Sequence, residues 1–368
     1  MTDQIQKDKK YDFKLEYTLV AQTPLIHFQP GQAGATLRAT EVKPKLDDFL
    51  KKRAGENGIN LTGCFIKETD ALDYKMRIVE KKRKNVVDLG PRTEFDIFYG
   101  NQKVEPGKVK KGIVADLCLT VICFNSTLRQ LIDRYVGEFF VAANFGTMSG
   151  KGFGSFSVME KNYSESQIAE ILKRECGAQK CYAFNGGPTP FKKIKTVYLV
   201  MKSGMSVPSQ VPSVLFSYVG RKGLGNDKDG VKYKLISPNR APGAAAGVHH
   251  YYVRALLGVG DRILYRQKNR PEITVSIKNK EKEIERLASP IFFKVIGNKV
   301  YVVACRIREE IYGKKFEFSG NNSRCEFAVP TKEQLGVDFI DSFMAKAVRD
   351  VSDNQSRALN DIKIWEVK

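Results

Sequence analysis

Residues 112–124 read GIVADLCLTVICF and lead straight into Asn125-Ser126-Thr127, after which Leu128, Leu131, Ile132, Tyr135, Val136, Phe139 and Phe140 recur at helical spacing. The first run is rich in β-branched residues and predicts one long, central strand. The polar triplet is an N-cap signal, and the stripe behind it predicts a helix with one buried face. That helix ends in Gly146-Thr147-Met148-Ser149-Gly150-Lys151-Gly152-Phe153-Gly154, four glycines in nine residues, and a short strand, Ser155 to Met159, follows.

Upstream, Phe13 to Val20 alternates apolar and polar residues as a half-buried strand does, until Pro24 stops it. Pro30-Gly31 and Gly34 predict an irregular loop. Val42, Leu46, Phe49 and Leu50 predict a helix, and Pro44, tolerated only in a first turn, sets its start near Val42. Tyr74 to Val79 and Thr93 to Tyr99 alternate again, a candidate strand pair around the charged excursion Glu80 to Asn85. Strand, helix, strands, helix, glycine loop, strand is the order of a ferredoxin-like α+β unit.

Downstream, Ser164 to Glu175 predicts a helix and Asn185 to Pro190 a linker, so the expected domains are residues 1–176 and 177–368. In the second, Ile194 to Met201 predicts a strand, Gly220 to Gly247 a long mobile loop and Val248 to Val259 a helix. Ile273 to Ile277, Ile291 to Ile296 and Val300 to Ile307 predict strands, the last two joined through Gly297-Asn298. A final helix is expected from Lys332 to Val351, with Phe339, Phe343, Ala347 and Val351 on one face.

The chain has 368 residues and a net charge of +20. Residues 1–176 contribute +5 and residues 177–368 contribute +15; within 177–270 there are 16 basic and three acidic side chains. Solubility alone requires no such concentration, whereas a polyanion such as nucleic acid does. The expected phosphate contacts in this stretch are Arg221, Lys222 and Arg240, with His249, His250 and Arg254 beside Tyr251 and Tyr252, an interleaving suited to base stacking.

Other classes are disfavoured. The best apolar run is broken by Asp116 and falls short of a membrane span, and MTDQIQKDKK lacks the apolar core of a secretory signal. Seven cysteines in a chain of this size read as reduced thiols in a cytoplasmic protein. Cys118-x4-Cys123 and Cys176-x4-Cys181 lack zinc-knuckle spacing, so no metal or cofactor is expected. The glycine loop departs from phosphate-loop and dinucleotide motifs: three residues separate its first glycine from Gly150-Lys151, and it leaves a helix to enter a strand. Its expected role is to lie against another chain, its amides open to phosphate oxygens. His27, just after the first strand, is a candidate general acid or base for metal-independent RNA cleavage; a packed histidine is the plainer reading.

Thr23-Pro24-Leu25, the following loop, Leu37-Arg38-Ala39-Thr40-Glu41-Val42-Lys43-Pro44 and Gly150-Lys151-Gly152-Phe153-Gly154-Ser155, in that order, resemble the RAMP superfamily of CRISPR-associated proteins. Leu287-Ala288-Ser289-Pro290-Ile291 resembles the Ala-Ser-Pro segment of certain end subunits of type III (Cmr-like) effector complexes. The resemblance implies two ferredoxin-like (RRM-like) domains with antiparallel sheets that bind CRISPR RNA among other effector subunits. Carried over, the RNA contacts are Gly150, Lys151, Gly152, Phe153 and Gly154, with Arg38 and Lys43 beside them. His27 matches the histidine of transcript-processing relatives by position only. The expected function is therefore an RNA-binding subunit of a CRISPR ribonucleoprotein that holds guide or target RNA; the alternative is a metal-independent repeat endoribonuclease using His27.

Overall fold

The computed structural model describes residues 13–26, 35–81, 85–89, 110–206, 208–236, 248–267, 270–279, 281, 283–284, 286–320 and 322–368. Among these, the chain divides into two compact units. One holds the residues up to Leu89, Lys110–Leu172 and Lys294–Gly297; the other holds Lys173–Phe293 and Asn298–Lys368.

In the first unit, β1 (Lys14–Ala21), α1 (Ala39–Glu56), β2 (Lys75–Glu80), β3 (Asn85–Leu89), β4 (Lys110–Val114), β5 (Leu117–Ile122), α2 (Ser126–Ala142) and β6 (Phe156–Val158) follow in order, and α3 (Glu165–Cys176) leads out. Four strands form an antiparallel sheet in the order β2-β5-β1-β6, with Glu16 opposite Thr120 and Thr120 opposite Arg77. With β3–β4 set aside as a separate hairpin, this is the βαββαβ order of a ferredoxin-like unit. Leu19, Leu117, Leu119 and Val121 of the sheet bury against Val42, Leu46 and Leu50 of α1 and Ile132, Val136 and Phe140 of α2. Each such side chain contributes about 1.5–3 kcal/mol on leaving water. An aromatic series, Phe49, Phe139, Phe145 and Phe156, continues this core from α1 to β6 with ring centroids 5.6–6.3 Å apart.

The single strand expected over 112–124 is two. Asp116 breaks it: its carboxylate accepts the Ala21 N–H at 3.2 Å, and its carbonyl accepts the Lys81 N–H. The chain thereby leaves β3 as partner and takes β1 and β2. The first helix begins at Ala39, three residues before its expected start, so Pro44 lies inside it. The Asn125 carboxamide caps α2 by accepting the Leu128 N–H, as its sequence predicts. Thr93 to Tyr99 lies outside the described residues.

In the second unit the elements are β7 (Cys181–Asn185), α4 (Pro190–Lys202), α5 (Val214–Gly220), β8 (Gly225–Asn226), α6 (Asp227–Val231), β9 (His250–Tyr251), β10 (Arg262–Gln267), β11 (Arg270–Asn279), β12 (Ile291–Ile296), β13 (Lys299–Ala304), β14 (Lys315–Gly320), β15 (Ser323–Ala328), α7 (Lys332–Leu335), α8 (Phe339–Ser352) and β16 (Ile364–Glu366). The sheet order β12-β13-β7-β16 repeats the strand order of the first unit, with α4 and α8 in the helix positions. A further sheet, β10-β11-β14-β15, is built from segments inserted into that plan.

The expected strand at Ile194 to Met201 is the helix α4: Pro190 starts it, and Phe191, Ile194, Val197, Tyr198 and Met201 face inward. Asn185 to Pro190 is accordingly a strand-to-helix turn within this unit. The final helix is split into α7 and α8 at Gly336, whose φ of +85° is inaccessible to a continuing helix. The turn through Gly297-Asn298 stands as expected. Both units are α+β with antiparallel pairing in their four-stranded sheets, which bears out the expected fold class.

Candidate nucleic-acid interface

The glycine segment has a half-exposed crest, 146–151, and a buried root, 152–156. Two of its glycines, Gly146 and Gly154, are demanded by close backbone approach. A Cβ on Gly154 would stand 2.0 Å from the Phe145 carbonyl oxygen, and one on Gly146 would stand 2.4 Å from that of Ile26. Gly152 and Gly154 hold φ of +87° and +64°. Phe153 is 1% exposed. The amides expected to be open to phosphate have internal acceptors: Gly146 N–H donates to Glu41 Oε1 (2.9 Å), Thr147 N–H to the Ile26 carbonyl (2.8 Å), Lys151 N–H to that of Met148 (2.8 Å), and Gly154 N–H to that of Pro24 (2.9 Å). Gly152 N–H donates to the Ser149 carbonyl, and its own carbonyl accepts the Thr23 hydroxyl at 2.7 Å. The Lys151 ammonium nitrogen is shielded from solvent. Gly150, on the crest, has open space around its Cα.

Beside it, Lys43 Nζ bonds Asp47 (2.8 Å) and the Leu72 carbonyl (2.9 Å) and lies 4.2 Å from the Tyr74 ring centre, so its charge has internal partners. Arg38 is exposed at the N-cap of α1. His27 and Arg240 lie outside the described residues.

The basic segment of the second unit is arranged differently. Residues 225–236, expected to be loop, form β8, α6 and a π-helical turn, Lys232–Ile236. Val231, Leu235 and Ile236 face inward, so Lys232, Tyr233 and Lys234 are exposed. The short parallel pairing of β8 with β9 sets Gly225 opposite His250 and Asn226 opposite Tyr251. That pairing requires Gly225, because a Cβ there would lie 2.8 Å from the His249 carbonyl oxygen. The His249 and Tyr251 rings meet edge to face at 4.6 Å, and the Tyr251 hydroxyl accepts a bond from Gln334 at 2.6 Å, which fixes the ring. Burial lowers the His250 pKa below its ordinary value and keeps the ring neutral near pH 7. Arg221 and Lys222 are exposed at the end of α5.

Arg254 does not join this surface. It is 7% exposed, its Nε donates to Asp227 Oδ2 at 2.6 Å, and its Nη2 reaches Tyr265 at 3.0 Å. The residues around it form a 3₁₀ turn, Val253–Leu257, in place of the helix expected over 248–259. Asp227 is wholly buried, so the pair neutralises itself inside the unit and removes one of the few acidic groups from the basic face. Lys202 lies near the same cluster, with Nζ on the Leu257 and Gly258 carbonyls at 3.0 and 2.7 Å; burial, reinforced by the Arg254 charge, pushes its pKa down to about 7.

Lys228, Lys232, Tyr233 and Lys234 are the surface groups that sequence reasoning missed. Their signal is the pair Val231 and Leu235, four residues apart, with the cations on the remaining faces. Among the described residues no three His, Cys, Asp or Glu side chains gather as a metal site, and no helix is long and apolar enough to cross a membrane.

Residues 12–205 match the family model of the Cmr1 N-terminal domain, and residues 210–364 match that of the Cmr1 C-terminal domain. No curated protein sequence matches the chain. Among solved structures, apo Cmr1 from Pyrococcus furiosus is similar over 96% of this chain and 98% of that one, at 9% identity and a TM-score of 0.41. A chain of the type III-B Cmr-beta structure bound to cognate target RNA is similar over 39% of this chain, at 11% identity and a TM-score of 0.28; the matched region spans 58% of that relative. Both family models fit in order along nearly the whole length, and the chain belongs to the Cmr1 family, a Cmr-like subunit of type III CRISPR effectors.

Proposed function

We propose that the protein is an RNA-binding subunit of its effector complex and that the outward face of residues 221–236 and 248–251 holds guide or target RNA. The observation that carries this is the sorting of charge. Arg221, Lys222, Lys228, Lys232 and Lys234 are exposed, whereas Asp227 is turned inward onto Arg254, leaving Asp229 as the one exposed acidic side chain among the described residues of the segment. Tyr233, His249 and Tyr251 supply ring faces among these cations, the combination by which single strands are held through phosphate contact and stacking. Membership of the Cmr1 family supports assembly with other Cmr subunits as part of the same reading.

The test is a titration of single-stranded RNA against the protein over a range of KCl concentrations. Replacing Arg221, Lys222, Lys232 and Lys234 together by Ala should weaken binding and reduce the slope of log K against log salt by about 0.7 for each phosphate no longer neutralised. An unchanged slope and affinity overturns the assignment. A parallel titration with DNA of the same sequence separates an RNA reader from a general polyanion binder, because only RNA offers the 2′-OH.

A further inference from the structure

Cys176 is the last residue of α3 and Cys305 immediately follows β13, 129 positions later; the two sulfur atoms stand 2.8 Å apart. That is closer than non-bonded sulfurs comfortably sit, yet longer than the ~2.05 Å of a disulfide. All seven cysteines are thiols in this structure. Both members of this pair are half-buried, so a small oxidant can reach them. The Arg306 side chain packs at Gly177, the residue after Cys176. The contact from Cys176 holds the Cys305 thiol below its ordinary pKa. Burial acts the other way on Cys64 and Cys123, and it pushes Cys325 up to about 11, so these three resist oxidation.

We propose that Cys176 and Cys305 are a redox pair that a hydroperoxide converts to an intrachain disulfide. The Cys305 thiolate attacks one peroxide oxygen, the O–O bond breaks, and the hydroxide released takes up a proton as water. Cys305 is then a sulfenic acid. The Cys176 thiolate attacks its sulfur, the S–S bond forms, and the second hydroxide leaves as water after protonation. Two thiols give up two electrons and two protons, and one hydrogen peroxide becomes two waters. The bond closes a long loop within the second unit, the case in which a cross-link restricts the unfolded chain most.

The experiment treats the reduced full-length chain with hydrogen peroxide, blocks the remaining thiols and counts them under denaturing conditions. Seven reactive thiols should fall to five, a peptide map should join the segments bearing Cys176 and Cys305, and dithiothreitol should restore seven. The oxidised form should melt several degrees higher than the reduced one. C176S and C305S should each abolish the joined peptide, whereas C118S should leave it intact. A wild-type map that retains all seven thiols, or that joins other cysteines, overturns the proposal, and this readout does not depend on how well the variants fold.

Discussion

The glycine segment 146–154 and the basic segment 221–251 invite the same reading from sequence, yet the structure uses them in opposite ways. In the first, Gly146 and Gly154 are there because carbonyl oxygens of Ile26 and Phe145 occupy the space a side chain would need, and the amides of Gly146, Thr147, Lys151, Gly152 and Gly154 complete an internal network. In the second, the apolar residues and one ion pair turn inward, and the cations are left facing water. Glycine density therefore reports how tightly backbone must approach backbone. Charge surplus, once internal pairs are subtracted, reports what the surface can attract.

The largest effect expected from this contrast is on Arg254, a cation of the basic segment that serves as architecture. Arg254→Met strands the Asp227 carboxylate in the interior and should cost about 3–5 kcal/mol in denaturant unfolding. A cost near zero would put Arg254 back among the surface contacts. Next comes Gly154→Ala, which forces a Cβ against backbone and should lower stability by about 3 kcal/mol. If the folded fraction survives with full stability, the root of the glycine segment is looser than its hydrogen bonds indicate.

A pH series sharpens the distinction between inward and outward cations. The Lys202 pKa is about 7 in the folded chain, while the unfolded chain keeps an ordinary lysine near 10.4. Between those values the unfolded state binds the extra proton, so this group makes stability rise with pH, by up to about 1.4 kcal/mol per unit. Lys202→Met should remove that part of the slope; identical slopes in the two proteins would contradict the assignment. The smallest effect is expected at the crest. Gly150→Ala meets open space and should change stability by less than about 1 kcal/mol. A loss as large as that of Gly154→Ala would erase the difference between crest and root.

Much of the fold is readable where one physical signal acts alone. Asn125 with the stripe from Leu128 to Phe140 specifies α2, and Gly297-Asn298 specifies a turn. It is unreadable where two signals coincide. Ile194 to Met201 is a mostly apolar run that suits a strand, while Phe191, Ile194, Tyr198 and Met201 also complete a helical face, and tertiary burial decides for the helix. The repeated strand order of the second unit is hidden because inserted segments separate β7 from β12 and β13 from β16. At the candidate site, the surplus of cations points to the region, and the structure leaves Arg221, Lys222 and His249 exposed there. The fate of Arg254 depended on Asp227, 27 residues away, and no local pattern discloses that partnership.

Lys294 completes the first unit from far downstream. It is fully buried, and its Nζ donates to the carbonyls of Phe140 (2.6 Å), Ala143 (2.8 Å) and Phe156 (3.3 Å) and to Asn144 Oδ1 (3.1 Å). One amine thus closes the C-terminal turn of α2 and pins both ends of the glycine segment. On a ribosome, the residues that make up α2 and β6 emerge long before Lys294 does. Until it arrives those carbonyls lack their donor, so the first unit reaches its finished form only late in synthesis, and a polypeptide released at Cys176 would stay unfinished.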